Sequence, residues 1–357
     1  MSDSASPSLS PVAWSDADRQ ARFEHWLAGI APQHALRAET LRPASSDASF
    51  RRYLRIDGSP RETFIVMDAP PPQEDVRPFI QIAALIERAG LNGARVIEQD
   101  VANGFLLLGD LGSTLYLDAL NDAVKVGDTA RVMQLMGDAT RALVTWQQQV
   151  DASGLPAYDD ALLRRELALF PDWCVAREHG VEWTDSQRSQ WQSACDLLVA
   201  SALAQPVVAV HRDYMPRNLM VTDPNPGILD FQDAVRGPIS YDVASLWRDA
   251  FISWDAEQEL DGVVRYWQAA RKAGLPVTDD LGEFWRQVEW MGLQRHLKVL
   301  GIFCRLKHRD GKPAYSADLP RFFGYAHRVA TKYNGLGVLA RLIEPLMGAE
   351  RRSGYTF

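Results

Sequence analysis

Residues 207–241 read VVAVHRDYMPRNLMVTDPNPGILDFQDAVRGPISY, and the reading of the whole chain turns on them. Val207 to Val210 is a run of β-formers, which predicts a short strand. It leads into His211-Arg212-Asp213, and Asn218 follows Asp213 after four intervening residues. A second apolar run, Gly227 to Leu229, delivers Asp230-Phe231 into another loop, with Asp230 twelve positions beyond the Asn. Two carboxylates and an amide placed this way suit phosphoryl transfer. That reaction needs a carboxylate to orient the attacking hydroxyl and take its proton, and oxygen ligands for Mg²⁺ bridging the nucleotide phosphates. Asp213 suits the first task; Asn218 and Asp230 suit the second.

A lone His-Arg-Asp tripeptide would carry little weight, because the three residues often meet by chance. The joint pattern of strand, tripeptide, offset Asn and second strand ending in Asp-Phe is specific, and its spacing is that of a kinase catalytic loop. The bland alternative is a strand-loop-strand hairpin in which Pro216, Asp223, Pro224, Asn225, Pro226 and Gly227 only shape turns. His211 is read as structural, holding the loop by hydrogen bonds. The stretch resembles the aminoglycoside phosphotransferase and choline kinase superfamily. Within it, HRDYMPRNLM followed by LDFQDAVRGPISYDVASL is most similar to the bacterial anomeric kinases of the cell-wall amino sugars N-acetylmuramate and N-acetylglucosamine. SDASFRRYLRI, FIVMDAPP and QRHLKVLGIFCRLKHRDGKPAY resemble the same group, so the likeness runs from about Ser45 to about Tyr333.

The resemblance implies an α+β, bilobal, protein-kinase-like fold. A flexible tail is expected over residues 1–14, a small β-rich N-lobe covering the nucleotide phosphates over 15–112, and a larger helical C-lobe over 113–350. It implies ATP as co-substrate, Mg²⁺ as cofactor, and an amino sugar phosphorylated at its anomeric hydroxyl, in peptidoglycan sugar recycling. Two rivals stay open: a kinase of another small molecule, such as an aminoglycoside, choline-like alcohol or glycated amine, and a nucleotide-binding pseudokinase.

Composition bounds the rest. At 357 residues, 46% hydrophobic and 24% charged, the chain reads as globular with room for two cores. A net charge of -8 argues against nucleic acid as a partner. Cys174, Cys195 and Cys304 are scattered without metal-ligand spacing, which suits buried thiols in a reducing compartment. The first residues show no signal-peptide pattern and no run approaches a membrane span, so a cytoplasmic protein with no membrane or obligate protein partner is expected.

Ser15 and Asp18 resemble a helix-starting pair, followed by Phe23, Trp26, Leu27 and Ile30 at helical spacing, and this helix is expected to pack on the small lobe. In the small lobe, Ser46 and Ser49 lie in a small polar loop where the kinase fold covers the nucleotide phosphates. There is no Gly-rich phosphate loop, and the strand Thr63 to Asp68 lacks the expected Lys, the first Lys being Lys125. Arg52 is the candidate replacement, against a reading of Arg51, Arg52 and Arg55 as surface residues. Glu87 is either an ion-pair partner for such an arginine or a surface residue. Asp110, in Gly109-Asp110-Leu111-Gly112, lies where the superfamily has a hinge facing the adenine. For the acceptor, the candidates are Arg217, Trp173, Asp233 and Arg305. Asp233 either assists the metal or caps its loop. Asp242 either caps the helix starting at Tyr241 or bonds backbone amides of the catalytic loop. Arg295, His296, Lys298, Arg305, Lys307, His308 and Arg309 form either a solvated helix face or a set from which one or two bases meet the acceptor's carboxylate or the transferred phosphate.

Overall fold

The structure is a computed structural model that describes residues 12–46, 50–60, 62–249 and 251–348. In chain order the elements are α1 (Ala17–Ile30), β1 (Arg37–Ser46), β2 (Arg52–Asp57), β3 (Thr63–Asp68), α2 (Arg77–Arg88), β4 (Asn92–Gly93), β5 (Val96–Asp100) and β6 (Phe105–Gly109). Long helices follow: α3 (Tyr116–Val126), α4 (Thr129–Gln149), α5 (Asp160–Leu169) and α6 (Asp185–Leu203). Then come β7 (Val207–Val210), β8 (Leu219–Met220), β9 (Gly227–Ile228), β10 (Val235–Pro238) and α7 (Tyr241–Trp247). The chain closes with α8 (Ala256–Lys272), α9 (Leu281–His308), α10 (Leu319–Lys332) and α11 (Gly337–Ile343). Two compact units result, one of residues 1–114 and 220–233, the other of 115–219 and 234–357. Residues 220–233, expected with the helical lobe, thus cluster with the β-rich one.

In the first unit an antiparallel sheet runs β1-β2-β3-β6-β5. Alternate residues of its strands, Leu54 and Ile56 on β2, Phe64 and Val66 on β3, Phe105 and Leu107 on β6, share one core with Phe23 and Leu27 of α1. Period 2 meeting period 3.6 is what puts the helix on that face. The rings of Phe23 and Phe105 meet edge to face at 5.4 Å. Asp16, rather than Ser15, starts α1, its carboxylate accepting from the N–H of Asp18 and Arg19. The small lobe's other side chains include Phe79, Ile82, Ala83 and Ile86 of α2, all buried. Parallel pairing of β4 with β9, Asn92 to Gly227 and Gly93 to Ile228, ties residues 220–233 to this unit.

In the second unit β7 and β10 form an antiparallel ribbon, Val235 opposite Val210. Around it lie helices centred on α9, whose 28 residues pack against α5, α6, α7 and α10. A π-helical stretch, Phe170–Glu178, continues α5, with the His179 N–H reaching back five residues to the Cys174 carbonyl. α9 approaches it so closely that a Cβ on Gly301 would lie 2.4 Å from the Leu169 carbonyl carbon and oxygen. Glycine there is a packing requirement. Because α9 is buried nearly all round, its basic residues are not one solvated face: Arg295, His296 and Lys298 are buried. Further along, Lys307 and His308 bind the Glu178 carboxylate, and Arg309 that of Asp310. No helix of the described residues is long and apolar enough to cross a membrane. All three cysteines are buried and unbridged.

Candidate active site

The loop after β7 is held by buried groups. Asp242, at the start of α7, accepts the N–H of His211 at 2.7 Å and of Arg212 at 3.0 Å. It makes no cap for its own helix, so of the two roles open to it the loop anchor is the one realised. Burial pushes its carboxyl up to about 7, even against these two hydrogen bonds. His211 is buried, and its Nδ1 accepts the Asp213 N–H at 3.3 Å. Tyr214 donates its hydroxyl to the Ala139 carbonyl of α4 at 2.8 Å. Arg212 adopts φ 76°, a conformation few residues other than glycine enter, and such strain persists only where the surroundings impose it. The outcome is an Asp213 side chain that is partly exposed on a rigid loop, with Asn218 folded back so that its Nδ2 donates to the Asp213 carbonyl at 2.9 Å.

A buried ion cluster holds Arg212. Its guanidinium donates to Glu166 of α5 at 2.6 Å, and Lys298 of α9 lies 3.1 Å from the same oxygen. Tyr158 and Gln294 donate to the other Glu166 oxygen. Burial works to raise the Glu166 carboxyl, but the charges of Lys298 and Arg212 and these hydrogen bonds outweigh it and hold it at about 2. Nothing in the sequence around Glu166 marks it, and Arg212 is 46 residues away, so this partner is missed when the chain is read linearly. Arg295 adds a further buried cation, its Nη2 3.9 Å from Asp213 Oδ1.

Asp230 belongs to the first unit, on the loop after β9, with φ 58°. Gln232 donates Nε2 to its Oδ1 at 2.8 Å, and Phe231 is buried against Phe79, ring centroids 4.6 Å apart. Asp233 is exposed. The donor chemistry fits Mg²⁺. Asp230 offers hard carboxylate oxygens, and the Asn218 amide directs its nitrogen to the Asp213 carbonyl, turning its oxygen elsewhere. Among the described residues no group of three or more His, Cys, Asp or Glu could hold a metal alone. Mg²⁺ is commonly held by one or two side chains with substrate phosphates and water completing the shell, so each of these side chains suits in kind an ion that arrives with a nucleotide.

The other expected residues are dispersed. Ser46 ends β1 opposite Arg52, and Ser49 lies outside the described residues. Arg52 donates Nε to Asp68 at 2.9 Å and stacks 4.2 Å from the Trp14 ring centroid. Asp68 is buried and also bound by Arg19, so a carboxylate bracketed by two arginines ends the strand that lacks the Lys. Arg51 pairs with Glu74 at 2.9 Å, while Glu87 is exposed at the end of α2, with no ion pair among the described residues. Asp110 is engaged by Arg55, Thr63 and the Gly112 N–H; burial works to raise its carboxyl, and these bonds hold it below the usual range. Arg217 is exposed, its guanidinium 4.8 Å from the Phe251 ring centroid and 6.0 Å from that of Tyr315. Trp173 is half-buried in the π-helical stretch. Arg305 is half-buried, with Nε meeting no acceptor. Burial, then the charge of nearby Arg309, lowers its pKa from the usual guanidinium value.

An Asp on the loop after a strand with an Asn five residues on, an Asp-Phe loop and a sheet-plus-helix division define a phosphotransferase of the protein-kinase-like fold. The chain belongs to the phosphotransferase enzyme family, whose profile matches residues 40–281. It is 52% identical over 310 residues to the N-acetylmuramate/N-acetylglucosamine kinase of Pseudomonas aeruginosa, covering 86% of this chain and 89% of the relative. With the kinase of the same name from Neisseria meningitidis serogroup B it shares 46% identity over 340 residues, 95% of this chain and 99% of the relative. Among solved structures, choline kinase LicA from Streptococcus pneumoniae superposes with a TM-score of 0.58 at 11% identity, covering 89% of this chain and 99% of that one. That last likeness speaks for the fold alone.

Proposed function

We propose that this phosphotransferase is an ATP-dependent kinase of amino sugars, acting on the anomeric hydroxyl of N-acetylmuramate or N-acetylglucosamine. The observation that carries the reading is the loop after β7: a partly exposed Asp213 on a backbone pinned by the buried Asp242, with Asn218 folded onto it. The names of the relatives at 46% and 52% identity support the choice of acceptor.

In this reading the Asp213 carboxylate orients the anomeric hydroxyl and takes its proton as the oxygen attacks the γ-phosphorus. The bond from that phosphorus to the bridging oxygen breaks, and ADP leaves with the electron pair. An anomeric hydroxyl is more acidic than other sugar hydroxyls, so a carboxylate is base enough. Asn218 and Asp230 would hold Mg²⁺, which would neutralise charge on the phosphate oxygens. Ser46, Ser49 and Arg52 are the candidate phosphate contacts, and the backbone around Asp110 the candidate adenine contact. Arg217, Trp173, Asp233 and Arg305 are assigned to the acceptor side. The product, a sugar 1-phosphate, fits salvage of peptidoglycan sugars. An acceptor panel with Mg-ATP tests the assignment. Turnover of the two amino sugars is expected to exceed that of choline, ethanolamine and an aminoglycoside by about a hundredfold or more in kcat/KM. Equal or faster turnover of any of those three overturns it.

A further inference from the structure

We infer that Arg295 is a positioning residue for the transfer, orienting the Asp213 carboxylate and supplying the fixed positive charge against which it works. The inference rests on Asp213 as the base. Arg295 sits on α9 with its side chain 3% exposed, while that of Asp213 is 34% exposed. Its Nη2 lies 3.9 Å from Asp213 Oδ1 and 3.6 Å from Met215 Sδ. Nε and Nη1 are buried and meet no hydrogen-bond acceptor. Burying a guanidinium with two unanswered nitrogens is unfavourable, and an apolar side chain would relieve that cost. Among the described residues the carboxylate with which it forms an ion pair is Asp213, and its charge also bears on Asp242.

The surrounding charged groups make their close contacts elsewhere. Arg212 and Lys298 both face Glu166. Asp242 is turned to the N–H groups of His211 and Arg212, and His211 accepts the Asp213 N–H. Arg295 is therefore the cation paired with Asp213, beside the longer-range charges of Arg212 and Lys298. At 3.9 Å the contact is longer than a hydrogen bond, so the pair attracts through charge while the carboxylate's lone pairs are left to an incoming hydroxyl. A base held by a shared proton would first have to break that bond; one held by charge does not.

Arg295→Gln and Arg295→Lys, measured as kcat and KM beside native enzyme and Asp213→Asn, test this, with a thermal melt of each variant as the check on folding. For Gln, kcat is expected to fall about tenfold or more with both KM values little changed. Lys keeps the charge and is expected to recover most of the native kcat. A folded Gln variant with native kcat overturns the inference, as does a folded Lys variant whose kcat falls as far as that of Gln. Should Gln not fold, the kcat of the Lys variant alone decides. The Asp213 reading fails separately: it falls if Asp213→Asn retains native turnover, whatever Arg295 does.

Discussion

Asp242 shows how one side chain can tie stability to activity. It is fully buried, answers two backbone N–H groups of the loop that carries Asp213, and has a carboxyl raised by burial to about 7. Because the folded protein keeps a proton that the unfolded chain gives up near pH 4, stability from this group falls as pH rises from about 4 to about 7 and is flat above. Asp242→Asn removes that titration. Chemical denaturation at several pH values should show the decline across that window flattened, and a slope equal to the native one would contradict the account. An amide also has one acceptor for two donors, so kcat should drop about tenfold or more. At this scale much was legible. Asp213, Asn218 and Asp230 stand out by spacing, and both roles weighed for Asp242 followed from its place before an apolar helix. Glu166 did not stand out, because a lone Glu on a helix shows its role only once the fold brings Arg212 and Lys298 to it.

Among the elements, α9 departs most from its linear reading. Its pattern of charges reads as a solvated face, but a helix that other helices surround has no such face, and its cations must find partners inside. Glu166 supplies one, and the cluster predicts a pH effect opposite in sign to that of Asp242. With a folded value of about 2 against the usual 4.5, its contribution is fully present above pH 4.5 and lost as pH falls toward 2. A gap of that size corresponds to about 3 kcal/mol. Glu166→Gln leaves Arg212 and Lys298 without their carboxylate and should cost about 3 kcal/mol near neutral pH. Its acid denaturation should then be shallower than that of the native protein. Unchanged stability at pH 7 would mean that the two cations find other partners.

For the molecule as a whole, the sequence announces a β-rich part followed by a helical part, since period-2 and period-3.6 patterns change over near Ser113. It does not announce that residues 220–233 return to the β-rich unit. That membership depends on Gly227 pairing with Asn92, a contact between residues far apart in the chain that no local pattern encodes. The missing Lys on β3 is visible in the sequence, but its consequence is not: Asp68 in that strand gathers Arg19 and Arg52 instead. Asp213 is proposed to drive transfer of a phosphoryl group to an anomeric hydroxyl. Phosphorus NMR of the protein with Mg-ATP and N-acetylmuramate tests it most directly, with Asp213→Asn run alongside. The account predicts a sugar 1-phosphate resonance growing with that of ADP, and its loss in the folded Asn variant. Phosphate on another hydroxyl, or native-like product formation by the Asn variant, would contradict it.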